Sequence, residues 1–150
     1  MAALLIVAHA PLASALAAVA RHTGINPDAV IEVLDVPPAL RGLDAIRDQV
    51  RTLLVHMRQP QVLVLTDVFA ASPCNGAMLA ADGVAVRVVS GVNVPMLWKV
   101  VDHIHDPLDQ LVAAAVSAGQ QGVMQLSTPT PQLQPRRDTS HDPNHADHQQ

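Results

Sequence analysis

The chain has 150 residues, of which 49% are hydrophobic, and its formal net charge is −4 with nine basic residues scattered along it. This length predicts one domain. The scattered basic residues argue against a nucleic-acid binder, because such proteins concentrate positive charge on one surface. The first residues lack the basic leader of a secretory signal, and no apolar run approaches the roughly 20 residues of a membrane span. We therefore expect a soluble, cytoplasmic protein.

Strand and helix patterns alternate along the first 126 residues. Short apolar runs predict strands at 4–8, 30–35, 61–66 and 84–89, with a short last strand at 123–126. Helical spacing or helix-start signals predict helices at 11–22, 43–57, 72–81, 95–103 and 107–118. This alternation predicts an α/β fold, a mostly parallel, doubly wound open sheet with helices on both faces. Residues 127–150 are rich in Pro, His and Gln, with little to bury, so we expect a domain at 1–126 and a disordered tail.

His9 directly follows the first apolar run, and Pro11 suits the first turn of the next helix. Open α/β sheets bind their ligands at the carboxyl ends of the strands, which places His9 at the reactive edge. Asp67 follows the third predicted strand and should meet His9 there. A carboxylate beside an imidazole fixes its tautomer and leaves the other ring nitrogen free as a nucleophile.

Two further polar residues lie in loops at the same predicted edge. Ser72 precedes Pro73 and is predicted to be an N-cap, so its hydroxyl and the free N–H groups of its helix would form an anion site. Asn93 either contacts a phosphate or holds its own loop through side-chain hydrogen bonds. A nucleophilic histidine, an orienting aspartate and a phosphate cradle together describe a phosphoryl carrier. Cys74, the only cysteine, is predicted to be buried packing, and no cofactor or metal site is predicted.

Two segments, LTDVFAASPCN at 65–75 and SGVNVPML at 90–97, carry a resemblance to a known family. They resemble the mannose-type enzyme IIA domain of the bacterial phosphotransferase system, with its patterns D-x-x-x-G-S-P-x-N and G-V-N-x-P-M-L. The resemblance covers residues 2–126. It implies that His9 accepts a phosphoryl group from the phosphocarrier protein HPr, that Asp67 is its partner and that Ser72 lies by the phosphate. It further implies a homodimer with an exchanged C-terminal strand, and a separate IIB component or regulatory partner downstream.

The sequence departs from the family pattern at two small residues. Ala10 follows His9 and Ala71 precedes Ser72, where the family often has glycine. Alanine is restricted wherever φ is positive, so we expect both loops to be slightly reshaped.

Alternative functions remain open at this point. One is the phosphotransfer subunit of a dihydroxyacetone kinase, which has a similar domain. Another is a flavodoxin-like nucleotide or flavin binding module, although the sequence contains neither G-x-G-x-x-G nor a P-loop. His141, His145 and His148 have a spacing that could bind a metal weakly, but a solvated tail is the favoured interpretation.

Overall fold

The computed structural model of the protein describes residues 1–40 and 42–127. The predicted tail from 128 onward, including the three histidines considered as metal ligands, lies outside the described residues. Within the described part, no helix is long and apolar enough to cross a membrane. The elements in chain order are β1 (Ala3–His9), α1 (Leu12–His22), β2 (Ile31–Val36), α2 (Leu43–Met57), β3 (Val62–Thr66), α3 (Ser72–Ala80), β4 (Val86–Ser90), α4 (Val94–Asp102) and α5 (Leu108–Gln121).

The four strands form one parallel sheet in the order β2-β1-β3-β4. This arrangement confirms the predicted α/β fold with an open parallel sheet. Because all strands run the same way, their carboxyl ends lie at one edge. In register, His9 lies opposite Val36 of β2, and Thr66 of β3 lies opposite Ser90 of β4. The loops that carry the predicted site residues therefore leave the sheet from the same edge.

Helices cover both faces of the sheet, and β1 is buried between them. Successive side chains of a strand point to opposite faces. Leu4 and Ile6 pack into the cluster formed with α1, α4 and α5, whereas Leu5 and Val7 pack into the cluster with α2 and α3. His9 continues the second series, so its parity places it on the α2–α3 face.

Two glycines allow helices to approach each other closely. A Cβ atom at Gly76 of α3 would overlap the Ile46 side chain of α2, and one at Gly119 of α5 would lie 2.6 Å from Met96 Cε of α4. Both glycines therefore occupy positions where a larger side chain would push the helices apart. The first contact fixes α3 against α2, beside the loop that contains Asp67.

The last predicted strand is not present in the structure. Residues 123–126 follow α5 without regular secondary structure, and Val123, Met124 and Leu126 are exposed. The prediction of a strand there is wrong for the single chain, because this short apolar segment pairs with no strand of its own sheet. Strand β4 lies at one edge of the sheet: one of its sides pairs with β3, and the other pairs with no strand among the described residues.

Candidate active site

A histidine–carboxylate pair joins the end of β1 to the loop after β3. Asp67 Oδ2 accepts hydrogen bonds from the backbone N–H of His9 at 3.0 Å and from ring atom Nδ1 at 2.7 Å. Asp67 Oδ1 accepts a third bond, from the Val68 N–H at 2.9 Å. The Asp67 side chain is only 8% exposed, whereas that of His9 is 55% exposed. The structure thus brings together the two residues that the sequence placed at one edge.

The hydrogen bonds to Asp67 determine its charge and the tautomer of His9. Burial of the carboxyl group raises its pKa, but the bonds donated by His9 and Val68 outweigh burial and lower the pKa of Asp67 below 3.8. Asp67 is therefore an anion at neutral pH and can only accept hydrogen bonds. This network assigns the proton of the neutral ring to Nδ1. The lone pair of Nε2 is then free for chemistry.

Four helices begin at the carboxyl edge of the sheet, and they differ in how their first N–H groups are satisfied. In α1, Asp35 accepts a bond from Ser14 N at 3.1 Å; in α4, Asn93 Oδ1 accepts one from Met96 N at 2.9 Å. The first turn of α2 contains Asp44. Helix α3 has neither a side-chain cap nor an acidic residue in its first turn. Among these helices, α3 is therefore the one whose N-terminus best suits an external anion.

The turn into α3 differs from the predicted one. Ala71 occupies the N-cap position with extended backbone (φ −78°, ψ 163°), and Ser72 is the first helical residue, with an exposed side chain. The predicted N-cap role of Ser72 is therefore wrong. Just before the N-cap, Ala70 turns the chain with a left-handed φ of 63°, and its carbonyl accepts a 3.0 Å bond from Asn75 Nδ2.

Neither of the two alanines that replace the family's usual glycines has a positive φ: Ala10 and Ala71 both avoid that region, and the left-handed residue of this loop is Ala70. An alanine costs about 1 kcal/mol in that conformation. The Asn75 bond to the Ala70 carbonyl is one contact that holds this turn in place.

Asn93 has a structural role at the start of α4. Its Oδ1 accepts the bond from Met96 N, and its Nδ2 donates to the Gly119 carbonyl of α5 at 2.9 Å. These bonds match the loop-holding alternative of the sequence analysis and tie the first turn of α4 to α5. Cys74 is 3% exposed, which confirms its predicted burial.

The comparisons with known proteins identify the family. The family model of the PTS (phosphotransferase system) fructose IIA component, EIIA-man, matches residues 3–116. The chain belongs to this enzyme IIA family. It is 25% identical to the mannose/sorbose-specific IIA subunit from Enterococcus faecalis, with a TM-score of 0.76 over 85% of this chain and 96% of that one. The EIIA component from Streptococcus agalactiae shares the fold at 20% identity, with a TM-score of 0.68 over 83% and 97% of the two chains. No curated protein matches the chain.

Two features of this IIA site escaped the sequence analysis. Phe69 lies two residues after Asp67 and is 82% exposed, next to the exposed Val68. The only phenylalanine of an aromatic-poor chain, placed in a loop with Asp67 and Ser72, is a signal that could have indicated a contact surface. Asp35 lies at the carboxyl end of β2, so the strand-end rule that selected His9 and Asp67 selects it as well.

Proposed function

We propose that this IIA chain is a phosphocarrier that accepts a phosphoryl group from phospho-HPr on Nε2 of His9. The observation that carries the proposal is the 2.7 Å contact between His9 Nδ1 and Asp67 Oδ2, which leaves Nε2 as the free nucleophile. The Nε2 lone pair attacks phosphorus, and the donor's phosphorus–nitrogen bond breaks with its electron pair returning to the donor. The Nδ1 proton stays in place, and the Asp67 carboxylate stabilises the positive charge that the His9 ring acquires.

We propose that the transferred group lies at the N-terminus of α3, with the Ser72 hydroxyl beside it. The uncapped first turn of α3 supports this placement, because the helix dipole and the free N–H groups both favour a negative group. The exposed position of Ser72 leaves its hydroxyl accessible. Delivery to a separate IIB component, or reading of the phosphorylation state by a regulatory partner, would use the same exposed edge.

A protein rather than a small molecule fits the surface around His9. The ring is more than half exposed, and the loop beside it presents the apolar side chains of Val68 and Phe69 to solvent. Exposed aromatic side chains are enriched in protein interfaces, where they contribute much of the binding energy. We therefore propose that this loop contacts HPr and the downstream partner.

The working unit that we propose is a homodimer in which 123–126 of each subunit pairs with β4 of the other. The free edge of β4, the exposed apolar segment after α5 and a cleft of about 440 Å³ next to β4, lined in part by Met78 and Val88, support this arrangement. Light scattering should give the dimer mass, and Met124→Asp should shift the protein toward the monomer. A monomer at micromolar concentration with phosphotransfer intact would refute the dimer as the working unit.

The test of the phosphocarrier is incubation with enzyme I, HPr and radiolabelled phosphoenolpyruvate. We expect an acid-labile, base-stable label that His9→Ala abolishes. His103→Ala is the matched control, because His103 also pairs with a carboxylate, Asp106, at 2.8 Å, and it should keep the label. A label on another histidine in His9→Ala would contradict the site, and an unlabelled wild type would favour the binding-module alternative.

A further inference from the structure

The end of β2 holds the segment that follows His9. The Ala10 N–H donates to the Val36 carbonyl at 3.0 Å, immediately after the active histidine. Asp35 Oδ1 accepts a bond from the Ser14 N–H at 3.1 Å, and Asp35 Oδ2 accepts one from the Ser14 hydroxyl. Two consecutive residues of one strand thus bind both ends of the short connection from β1 into α1.

Helix α1 lacks a cap of its own, which explains the bond to Asp35. Its N-cap position is Pro11, which makes no side-chain cap bond, and its first turn contains no acidic residue. Ser14 is the third helical residue, so its N–H is one of the donors without an intrahelical partner. Asp35 satisfies this donor from the neighbouring strand and places a negative charge at the positive end of the helix.

We propose that Asp35 is a positioning residue for the phosphoryl transfer to His9; this inference rests on the proposed function. Asp67, in the loop after β3, fixes the His9 ring. Asp35, at the end of β2, fixes the start of α1 through Ser14, which follows His9 by five residues. The Asp35 side chain acts through these hydrogen bonds, which hold the α1 N-terminus, the helix end nearest to His9 in sequence.

Four proteins of 150 residues test the inference: the wild type, Asp35→Ala, Asp35→Asn and Ala18→Gly. Asparagine can keep both contacts to Ser14, since its carbonyl accepts from the backbone N–H and its amide can donate to the hydroxyl. Ala18 is an exposed residue of α1, so Ala18→Gly weakens the same helix without touching the cap. The measurements are single-turnover transfer from phospho-HPr and hydrogen exchange of the Ala10 amide.

At saturating phospho-HPr we expect Asp35→Ala to react about tenfold more slowly, because small displacements of a reacting group carry such penalties. The phospho-HPr concentration at half-saturation should stay within about twofold of the wild-type value, since the loop with Val68 and Phe69, which we propose contacts HPr, is unchanged. Asp35→Asn and Ala18→Gly should react at close to the wild-type rate, and the Ala10 amide should exchange faster in Asp35→Ala alone.

Equal rates in Asp35→Ala and Ala18→Gly would overturn the inference, because the loss would then reflect helix stability. An Asp35→Asn variant as slow as Asp35→Ala would also overturn it, because charge rather than position would then matter. If the wild type accepts no phosphoryl group, the proposed function fails separately. Amide exchange still decides the positioning in that case, and an Ala10 amide equally protected in all four proteins would refute it.

Discussion

The replacement Asp67→Asn tests the centre of the proposed mechanism. The carboxylate accepts three hydrogen bonds, two at Oδ2 from His9 and one at Oδ1 from Val68. An asparagine has one oxygen and one NH₂ group in their place. If its oxygen faces His9, the NH₂ group opposes the Val68 N–H. If its oxygen faces Val68, the NH₂ group opposes the His9 backbone N–H and donates to Nδ1, which moves the ring proton to Nε2.

Each orientation removes part of the site, and the magnitudes follow from these contacts. Loss of the charged acceptor that serves the N–H groups of His9 and Val68 should lower the free energy of unfolding by about 1–3 kcal/mol. The orientation that moves the proton to Nε2 abolishes the nucleophile, and the other loses the charge that stabilises the phosphorylated ring. We therefore expect single-turnover transfer from phospho-HPr to slow by roughly 10²–10⁴-fold with the fold intact.

The matched control is Asp106→Asn, which removes the carboxylate of the other histidine pair, at His103. Its transfer rate should equal that of the wild type. Quench-flow with radiolabelled phospho-HPr gives the rate, and circular dichroism with urea unfolding reports the fold and its stability. A wild-type rate in Asp67→Asn would remove Asp67 from the proposed site.

Four further predictions follow from the structure. Thr66 is fully buried, and its hydroxyl has no hydrogen-bond partner among the described residues. Thr66→Val should therefore raise the free energy of unfolding in urea by about 1 kcal/mol, and a lower free energy of unfolding would mean that the hydroxyl is hydrogen-bonded. Phe69→Ala should leave thermal stability unchanged and raise the half-saturating concentration of phospho-HPr about tenfold. The same half-saturating concentration in variant and wild type would mean that HPr binds at another surface. Folding lowers the pKa of Asp67 below its ordinary value of 3.8. Its ionised form therefore stabilises the fold at pH values above 3.8, and this stabilisation is lost as the pH falls through the lowered pKa. The stability difference between wild type and Asp67→Asn should therefore be constant at neutral pH and shrink progressively as the pH falls toward 3.8 and below it. A decline that starts near neutrality would refute the lowered pKa. Truncation after Leu126 should leave the melting temperature nearly unchanged, since the composition of the tail offers little to bury, and a large drop would contradict the predicted domain boundary.

The sequence predicted the elements well where periodicity alone determines them. Helix α2 has the predicted bounds, because its apolar residues recur at helical spacing from Leu43 to Met57. Strand β4 begins two residues later than predicted. Asp82 Oδ1 accepts bonds from the N–H groups of three consecutive residues, Val84 to Val86, at 2.8–2.9 Å. This cluster holds the start of the apolar run in a turn, and hydropathy does not reveal such a contact.

The site was predictable where topology decides and unpredictable where one backbone angle decides. His9 and Asp67 meet because parallel strands end at one edge, which the strand pattern implies. The left-handed turn at Ala70 was missed because alanine does not favour positive φ, so the family's glycine position drew attention to Ala71 instead. The strand-end rule selects Asp35 as a candidate, but its contact with Ser14 could not be predicted, because the sequence does not orient α1 relative to β2.

A histidine next to a carboxylate is not by itself a phosphoryl acceptor. The chain contains a second such pair, His103 with Asp106, that can be compared with His9 and Asp67. His103 lies 2.8 Å from Asp106 through Nδ1, and its Nε2 lies 3.5 Å from Asp102. Both of its ring nitrogens therefore face an anion, and its position just after the C-terminus of α4 repels a phosphate. His9 combines one engaged nitrogen, a more exposed ring and the uncapped N-terminus of α3 at the same sheet edge. This combination, rather than the ion pair alone, is what makes His9 the candidate nucleophile.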